Sequence, residues 1–114
     1  MAFLYIIACK GGTYYTGIAK DIEARLHEHR EKGKSCAKYT RAHPVTALLA
    51  LWETDTLATA AKGEYAVKKL KRKKKEELIA EAEQLVSFCP VLAGLAFTAR
   101  RDIVLSDRKN QTQS

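Results

Sequence analysis

Three short apolar runs, each bounded by polar or glycine-rich residues, set the predicted order of strands. Residues 3–9 (FLYIIAC) are rich in aromatic and β-branched side chains and stop before Gly11 and Gly12, which is typical of a buried strand followed by a turn. Residues 13–18 supply a second strand, so the pair predicts a β-hairpin. The third run, residues 45–52 (VTALLALW), predicts a central strand.

Two tyrosines of the predicted hairpin are candidates for sharing one face of the sheet. Successive residues of a strand point to opposite faces, so Tyr5 and Tyr15 each occupy one defined face of their strand. The sequence leaves the register open, and the register decides whether the two hydroxyls share a surface.

A helix is predicted directly after the hairpin. Asp21 is a favourable N-cap for a helix over residues 22–32, whose apolar positions recur at i, i+4 spacing and face the core. Arg25 and His29 are also four residues apart, so they share the neighbouring stripe of the same helix.

A carboxylate interrupts the apolar stripe of a second predicted helix, over residues 57–70. The stripe consists of four positions at i, i+3, i+4 and i+7 spacing: Leu57, Ala60, Ala61 and Glu64. An unpaired buried carboxylate is costly, so this interpretation requires that Glu64 is paired with a cation, bound to a metal or facing a cleft. The alternative is a core stripe rotated toward Val67, which leaves Glu64 solvated, and the periodicity does not decide between them.

The formal net charge of +7 and the pI of about 9.4 favour polyanionic partners, nucleic acid before an acidic membrane surface. Residues 68–75 (KKLKRKKK) contain seven basic residues in eight, which equals the whole net charge. Such blocks are often solvated or disordered, but this one lies between two helical patterns and is suited to phosphate contacts that carry no base identity. With two cations of the polar segment before residue 45, the candidate nucleic-acid contacts are Lys38, Arg41, Lys68, Lys69, Lys71, Arg72, Lys73, Lys74 and Lys75.

The remaining features concern location and the end of the chain. Cys9, Cys36 and Cys89 are odd in number and form no CxxC pair, which favours reduced thiols over a zinc site. The apolar start lacks a positive leading region and is too short to span a membrane, so we expect a cytoplasmic protein. We divide the chain into a domain over residues 1–85 and a C-terminal extension over residues 86–114, which is either an extra packing element or a contact for a homodimer or another protein.

The order of elements, ββαβαα, predicts an α/β (α+β) fold with a small sheet covered by helices. Four segments in this order, FLYIIAC, YYTGIAKDIEARLHEH, AKYTR and GEYAVKKLKRKKKEELIAE, resemble the small stand-alone GIY-YIG proteins of bacteria, the YhbQ-like group. The resemblance covers about residues 3–83. It implies a three-stranded antiparallel sheet flanked by helices and a metal-dependent nuclease activity. Phe3 and Thr16 depart from the glycine and isoleucine of the two half-motifs, and neither change removes a reacting group.

The resemblance also implies a set of catalytic residues. It assigns the two motif tyrosines to Tyr5 and Tyr15, the helical arginine to Arg25 and the metal-binding glutamate to Glu64, with His29 as an accessory. It implies one Mg²⁺ or Mn²⁺ ion on Glu64, with Arg25 on a phosphate oxygen and Tyr15 orienting water or phosphate. Tyr5 would help to deprotonate the attacking water. Because an unperturbed tyrosine has a pKa of about 10, we expect Tyr5 to need positive charge nearby.

Two function classes follow from these observations. The leading hypothesis is a metal-dependent endonuclease that hydrolyses phosphodiester bonds in DNA, directed by structure during repair or processing. The residues do not distinguish RNA from DNA, and a membrane is not an expected partner. The alternative is a nucleic-acid-binding module with little or no catalytic activity.

Overall fold

The computed structural model describes residues 1–31 and 45–103 of the chain. Their elements, in chain order, are β1 (Ala2–Cys9), β2 (Thr13–Ala19), α1 (Ile22–Glu31), β3 (Val45–Thr54), α2 (Leu57–Lys68), α3 (Arg72–Ala80), a 3₁₀ turn (Ala82–Gln84), α4 (Leu85–Phe88), a second 3₁₀ turn (Pro90–Leu92) and β4 (Thr98–Ala99). The predicted ββαβαα order is confirmed. The predicted contacts Lys38 and Arg41, and also Cys36, lie outside the described residues.

The sheet has four antiparallel strands in the order β2-β1-β3-β4, where three were expected. The additional strand, β4, is two residues long and pairs with the end of β3 at Trp52 and Glu53. A strand this short has no alternation to detect, which is why the pattern of the C-terminal segment did not predict it. In the hairpin, Tyr5 lies opposite Gly17 and Ile7 lies opposite Tyr15, so the two tyrosines share a face.

Each face of the sheet carries its own group of core residues. On one face, Tyr5 and its neighbours pack against Ile22 and Leu26 of α1, as the i, i+4 spacing predicted. On the other face, Leu4, Ile6 and Trp52 pack against α2, α3 and the C-terminal segment. The sheet is therefore a central layer, and α1 and α2 approach it from opposite sides.

The rotation of α2 is the alternative that the sequence left open. Its buried residues are Ala60, Gly63, Ala66 and Val67, whereas Leu57 and Ala61 are exposed. The predicted core stripe that contained Glu64 is therefore wrong, because Gly63 and not Glu64 faces the sheet. A Cβ added at Gly63 would lie 2.8 Å from Leu4 Cδ2, so the absence of a side chain there allows α2 to approach the sheet closely.

The C-terminal segment packs onto the same core as the predicted domain. Cys89 and Leu92 are buried with the Leu4 face, and the Thr54 hydroxyl donates a hydrogen bond of 2.5 Å to the carbonyl of Ala96. Phe97 lies against Gly63 of α2. The described part of the extension is thus a packing element, and its role in a homodimer or a protein contact stays a prediction. No helix in the described part of the chain is long and apolar enough to cross a membrane.

We expect Gly63→Ala to destabilise the protein. The new methyl group would lie 2.8 Å from Leu4 Cδ2 and 3.0 Å from Phe97 Cζ. Overpacking of this kind costs about 1–3 kcal/mol, which outweighs the gain of up to about 1 kcal/mol in helix propensity. Chemical denaturation measures the difference. Ala61→Gly, the reverse change at an exposed position of the same helix, measures the propensity contribution alone. A Gly63→Ala variant more stable than the wild type would contradict the close packing.

Candidate active site

A hydrogen bond between two buried side chains forms the centre of the candidate site. Tyr5 of β1 and His29 of α1 both have 0% relative exposure, and the Tyr5 hydroxyl lies 2.8 Å from His29 Nε2. Tyr15 of β2 completes the group, since its ring centroid is 5.6 Å from that of His29 in an edge-on arrangement. The register of the hairpin, which the sequence left open, therefore places both tyrosines on one surface, and His29 of the polar stripe of α1 lies against both.

Gly17 makes room for this arrangement, although no sequence argument singled it out. It lies opposite Tyr5 in the hairpin, and a Cβ at this position would be 2.5 Å from the Tyr5 hydroxyl oxygen and 3.1 Å from Tyr15 Cε2. A side chain at position 17 would therefore displace both tyrosines. The available signal was a glycine inside a strand, which often marks a close approach of another group.

Arg25 supplies the positive charge that Tyr5 was expected to need. It forms an ion pair with Glu28, with Nη1 and Oε1 2.9 Å apart, and it also hydrogen-bonds the Tyr5 hydroxyl. Burial nevertheless dominates and raises the pKa of Tyr5 to about 12, while Arg25 acts in the opposite direction. Tyr5 is therefore a neutral phenol near pH 7 in this state.

Burial shifts the pKa of His29 in the other direction. Desolvation is the main cause and the charge of Arg25 adds to it, so the pKa of His29 falls to about 4. A guanidinium group can only donate hydrogen bonds, so the Tyr5 oxygen accepts from Arg25. The Tyr5–His29 bond forms with either group as the donor, depending on the tautomer of His29. The low pKa of His29 keeps the imidazole neutral near pH 7.

Glu64 approaches the group from the other side of the sheet. Its helix, α2, packs on the Leu4 face, whereas Tyr5 and His29 lie on the α1 face. The carboxylate is 25% exposed and forms an ion pair with Lys68, with a distance of 3.2 Å between Nζ and Oε2. Its charge still reaches Tyr5, because it contributes to the rise in the pKa of that residue. Of the options that the sequence allowed, pairing with a cation is the one observed.

The side chains near the candidate site offer a divalent metal ion few ligands. Among residues 1–31 and 45–103, no group of three or more His, Cys, Asp or Glu side chains could hold a metal ion. Mg²⁺ differs from zinc in that it keeps several waters and often takes only one or two protein carboxylates. A single half-buried carboxylate such as Glu64 is compatible with that chemistry, provided that the pair with Lys68 opens.

The basic block divides between several surfaces. A groove on the outer side of β2, which we call the β2 groove, is lined by Thr13, Tyr14, Tyr15, Thr16, Lys68, Arg72 and Lys75. Other cations of the block point elsewhere: Lys69 lies over the ring of Tyr65, and Lys74 pairs with Glu77. The prediction treated seven cations alike, but three of them share one groove with a residue of the candidate site.

The shifted pKa of His29 leads to an expected pH dependence of stability. Between pH 6.5 and 4 the unfolded histidine binds a proton that the folded one does not, so the stability is present above pH 6.5 and is lost as the pH falls toward 4. A shift of this size corresponds to a loss of up to about 3 kcal/mol. Denaturant unfolding at several pH values should show a smaller loss for His29→Gln than for the wild type. His27→Gln, an exposed histidine on the same helix, is the control; equal pH dependence in all three proteins would contradict the buried neutral imidazole.

Comparison with known proteins shows the family of this chain. Residues 1–77 match the model of the GIY-YIG catalytic domain. The UPF0213 protein BH0048 of Halalkalibacterium halodurans is 42% identical over 77 residues, which is 68% of this chain and 80% of that protein. The UPF0213 protein SSP2268 of Staphylococcus saprophyticus is 43% identical over 79 residues, which is 69% of this chain and 94% of that protein.

One solved structure is also similar, the solution NMR structure of the UPF0213 protein BH0048 from Bacillus halodurans. It has 41% sequence identity and a TM-score of 0.46, and the match covers 71% of this chain and 85% of that one. The family match spans well over half of the chain, and the two bacterial relatives exceed 40% identity over most of their own length. The chain therefore belongs to the GIY-YIG family, whose domains are generally nucleases.

Proposed function

We propose that this protein is a metal-dependent endonuclease that hydrolyses phosphodiester bonds in DNA, recognising the structure of its substrate rather than the sequence during repair or processing. The observation that carries the proposal is the Tyr5–His29 hydrogen bond, with Arg25 and Tyr15 beside it, in a chain that belongs to the GIY-YIG family. We place the activity in the domain over residues 1–85 and in the cytoplasm.

The proposed reaction begins with the attack of a water molecule on the phosphorus atom. As the new P–O bond forms, the water gives a proton to the Tyr5 oxygen, and Tyr5 passes its own proton to Nε2 of a His29 imidazole that is protonated on Nδ1. The P–O bond to the leaving sugar oxygen breaks at the same time, and that oxygen takes a proton from solvent, to which His29 later returns the proton it received. This relay allows a phenol with a pKa of about 12 to act without first becoming a phenolate. The buried imidazolium that results is unfavourable, but it forms as negative charge develops on the adjacent phosphate.

The half-buried residues of the site contact the substrate in this proposal. Arg25 binds a non-bridging phosphate oxygen through its planar group of N–H donors, and Tyr15 orients the water or the phosphate. Glu64 would hold the Mg²⁺ or Mn²⁺ ion, which supplies charge neutralisation at the phosphate and the leaving oxygen when it is bound. Because Tyr5 and His29 are closed to solvent in this structure, the attacking water reaches Tyr5 only after neighbouring side chains shift.

The Tyr5–His29 pair also has a purely structural interpretation. A buried hydroxyl normally needs a hydrogen-bond partner, and His29 would supply one to Tyr5 whether or not the protein is an enzyme. In the same way, the ion pair of Glu64 with Lys68 is an ordinary pair of a helix surface. These two facts favour the second candidate, a nucleic-acid-binding module with little or no catalysis.

Tyr5→Phe separates these interpretations, because it removes the hydroxyl and keeps the ring. If Tyr5 relays a proton, the cleavage rate should fall by about 10²–10⁴-fold. The stability should fall by about 1–3 kcal/mol, because the change leaves the buried His29 Nε2 without the Tyr5 hydroxyl. Cleavage is measured on nicked, branched and single-stranded DNA, with Tyr65→Phe, an exposed tyrosine of α2, as the control. A Tyr5→Phe variant with wild-type cleavage would leave the pair a structural role only.

Glu64→Gln tests the metal site. It keeps the size of the side chain but removes the charge that would hold the ion, so we expect cleavage with Mg²⁺ to fall by about 10²–10³-fold. Binding of DNA in EDTA should remain, and the binding of Mn²⁺ measured by electron paramagnetic resonance should weaken. Glu81→Gln makes the same change in charge at an exposed position after α3.

The outcomes of this second test are distinct. Unchanged cleavage and unchanged Mn²⁺ binding in Glu64→Gln would remove Glu64 from the site. If the wild type cleaves no substrate with either metal but still binds DNA, the binding-module interpretation replaces the nuclease.

A further inference from the structure

We propose that the β2 groove holds the phosphate backbone of a polynucleotide on one side of the bond that is cut. The proposal rests on the proposed function for the position of the cut, and the groove itself is defined by contacts that are independent of catalysis. The proposal also distinguishes three cations of the basic block, which would hold the polynucleotide, from the other four.

The first argument is the position of the cations. Lys68 at the end of α2 and Arg72 and Lys75 of α3 line the groove together with residues of β2, and no Asp or Glu is among the lining residues. β2 is an edge strand of the sheet in the described part of the chain, so its outer side is the floor of the groove. A row of cations along a strand edge matches a ligand with regularly repeated negative charge.

The second argument is that Arg72 is held in place. Its Nη1 donates a hydrogen bond of 2.5 Å to the carbonyl of Gly12, and its guanidinium lies 4.1 Å from the centroid of the Tyr14 ring. Its Nε donates a further bond of 3.2 Å to Glu76. These contacts, together with the interaction of the guanidinium with the Tyr14 side chain, hold Arg72 in one orientation beside the groove. A guanidinium fixed in advance loses less side-chain entropy on binding than a mobile lysine.

The third argument is that the groove is connected to the candidate site. Tyr15 lines the groove and its ring also contacts His29. Lys68 lines the groove and its ammonium group pairs with Glu64. A strand bound along Arg72 and Lys75 therefore leads to the residues that would act on a phosphate.

An acidic polypeptide is the other ligand with repeated negative charge. The contacts favour the polynucleotide, because its phosphates are spaced along a backbone regardless of sequence, and the groove offers cations and little that would read individual side chains. Polyglutamate as a competitor separates the two ligands in the test below.

The test compares two double variants of the same helix. Arg72→Gln with Lys75→Gln removes two charges inside the groove, and Lys73→Gln with Lys74→Gln removes two charges outside it. Binding of fluorescent DNA oligonucleotides is measured in EDTA over a series of salt concentrations. We expect the groove variant to bind at least about 10-fold more weakly, with a salt slope lower by about 1.4–1.8, since each lost phosphate contact lowers it by about 0.7–0.9. The outside variant should keep most of its affinity and slope.

Arg72 also connects α3 to the β1–β2 turn, so its replacement affects the structure. Lys75→Gln against Lys73→Gln is therefore measured as a second pair, and thermal unfolding is recorded for every variant. A loss of affinity in Lys75→Gln at unchanged thermal stability supports the groove directly. If the groove and outside variants lose the same affinity, or if polyglutamate competes as well as DNA at equal charge, the proposal is wrong.

Cleavage adds the direction of the strand. Substrates that are cleaved at a single position are lengthened on either the 5′ or the 3′ side of that position. Lengthening on one of the two sides should lower the KM of the wild type but not that of the groove variant, and lengthening on the other side should change neither. Equal effects on both sides would overturn the one-sided arrangement. The two proposals fail separately: if no substrate is cut but the groove variant still binds more weakly, the nuclease is wrong and the groove stands. If cleavage occurs and the two double variants bind alike, only the groove is wrong.

Discussion

The hydroxyl of Tyr5 is a polar group in the interior of the domain, and the structure around it depends on how that group is satisfied. A buried hydroxyl without a partner would cost about 1–3 kcal/mol. The bond of 2.8 Å to His29 prevents this loss, and it requires that the last turns of α1 lie against the hairpin at a defined height. The same bond requires a residue without a side chain at position 17, because the hydroxyl occupies the space of a Cβ there. One hydrogen bond thus links β1, β2 and α1.

Burial also determines the protonation of this pair, and its effect is opposite in the two residues. The environment that raises the pKa of Tyr5 to about 12 lowers that of His29 to about 4, because both shifts favour the neutral form. Near pH 7 the phenol therefore keeps its proton and the imidazole is neutral, with the two groups joined by one hydrogen bond. This arrangement is what makes a proton relay a reasonable chemistry for a tyrosine whose pKa is far above neutrality.

The edge strand β2 connects the two functional regions of the molecule. On the α1 face of the sheet it contributes Tyr15 and the space above Gly17, and along its outer side it forms the floor of the β2 groove. Lys68 of α2 lines the same groove and pairs with Glu64. Strand edges expose unpaired backbone groups and are usually protected by charge. Here the cations that protect the edge are also those suited to hold a polyanion.

The order of the elements, the faces of the hairpin strands and the residues of the α1 stripe followed from the sequence alone, because they depend on alternation and on i, i+4 spacing. The start of α1 followed from its N-cap, since the carboxylate of Asp21 accepts the Ala24 N–H at 3.1 Å. The sequence also supplied the motif residues that lead to the family. It did not determine the rotation of α2, which follows from the contact of Gly63 with Leu4, nor the role of Gly17, which follows from the register of the hairpin. It did not separate Lys68, Arg72 and Lys75 from the rest of the basic block. Those features depend on distances between residues far apart in the chain, and local periodicity carries no information about such distances until the sheet and helices are packed together.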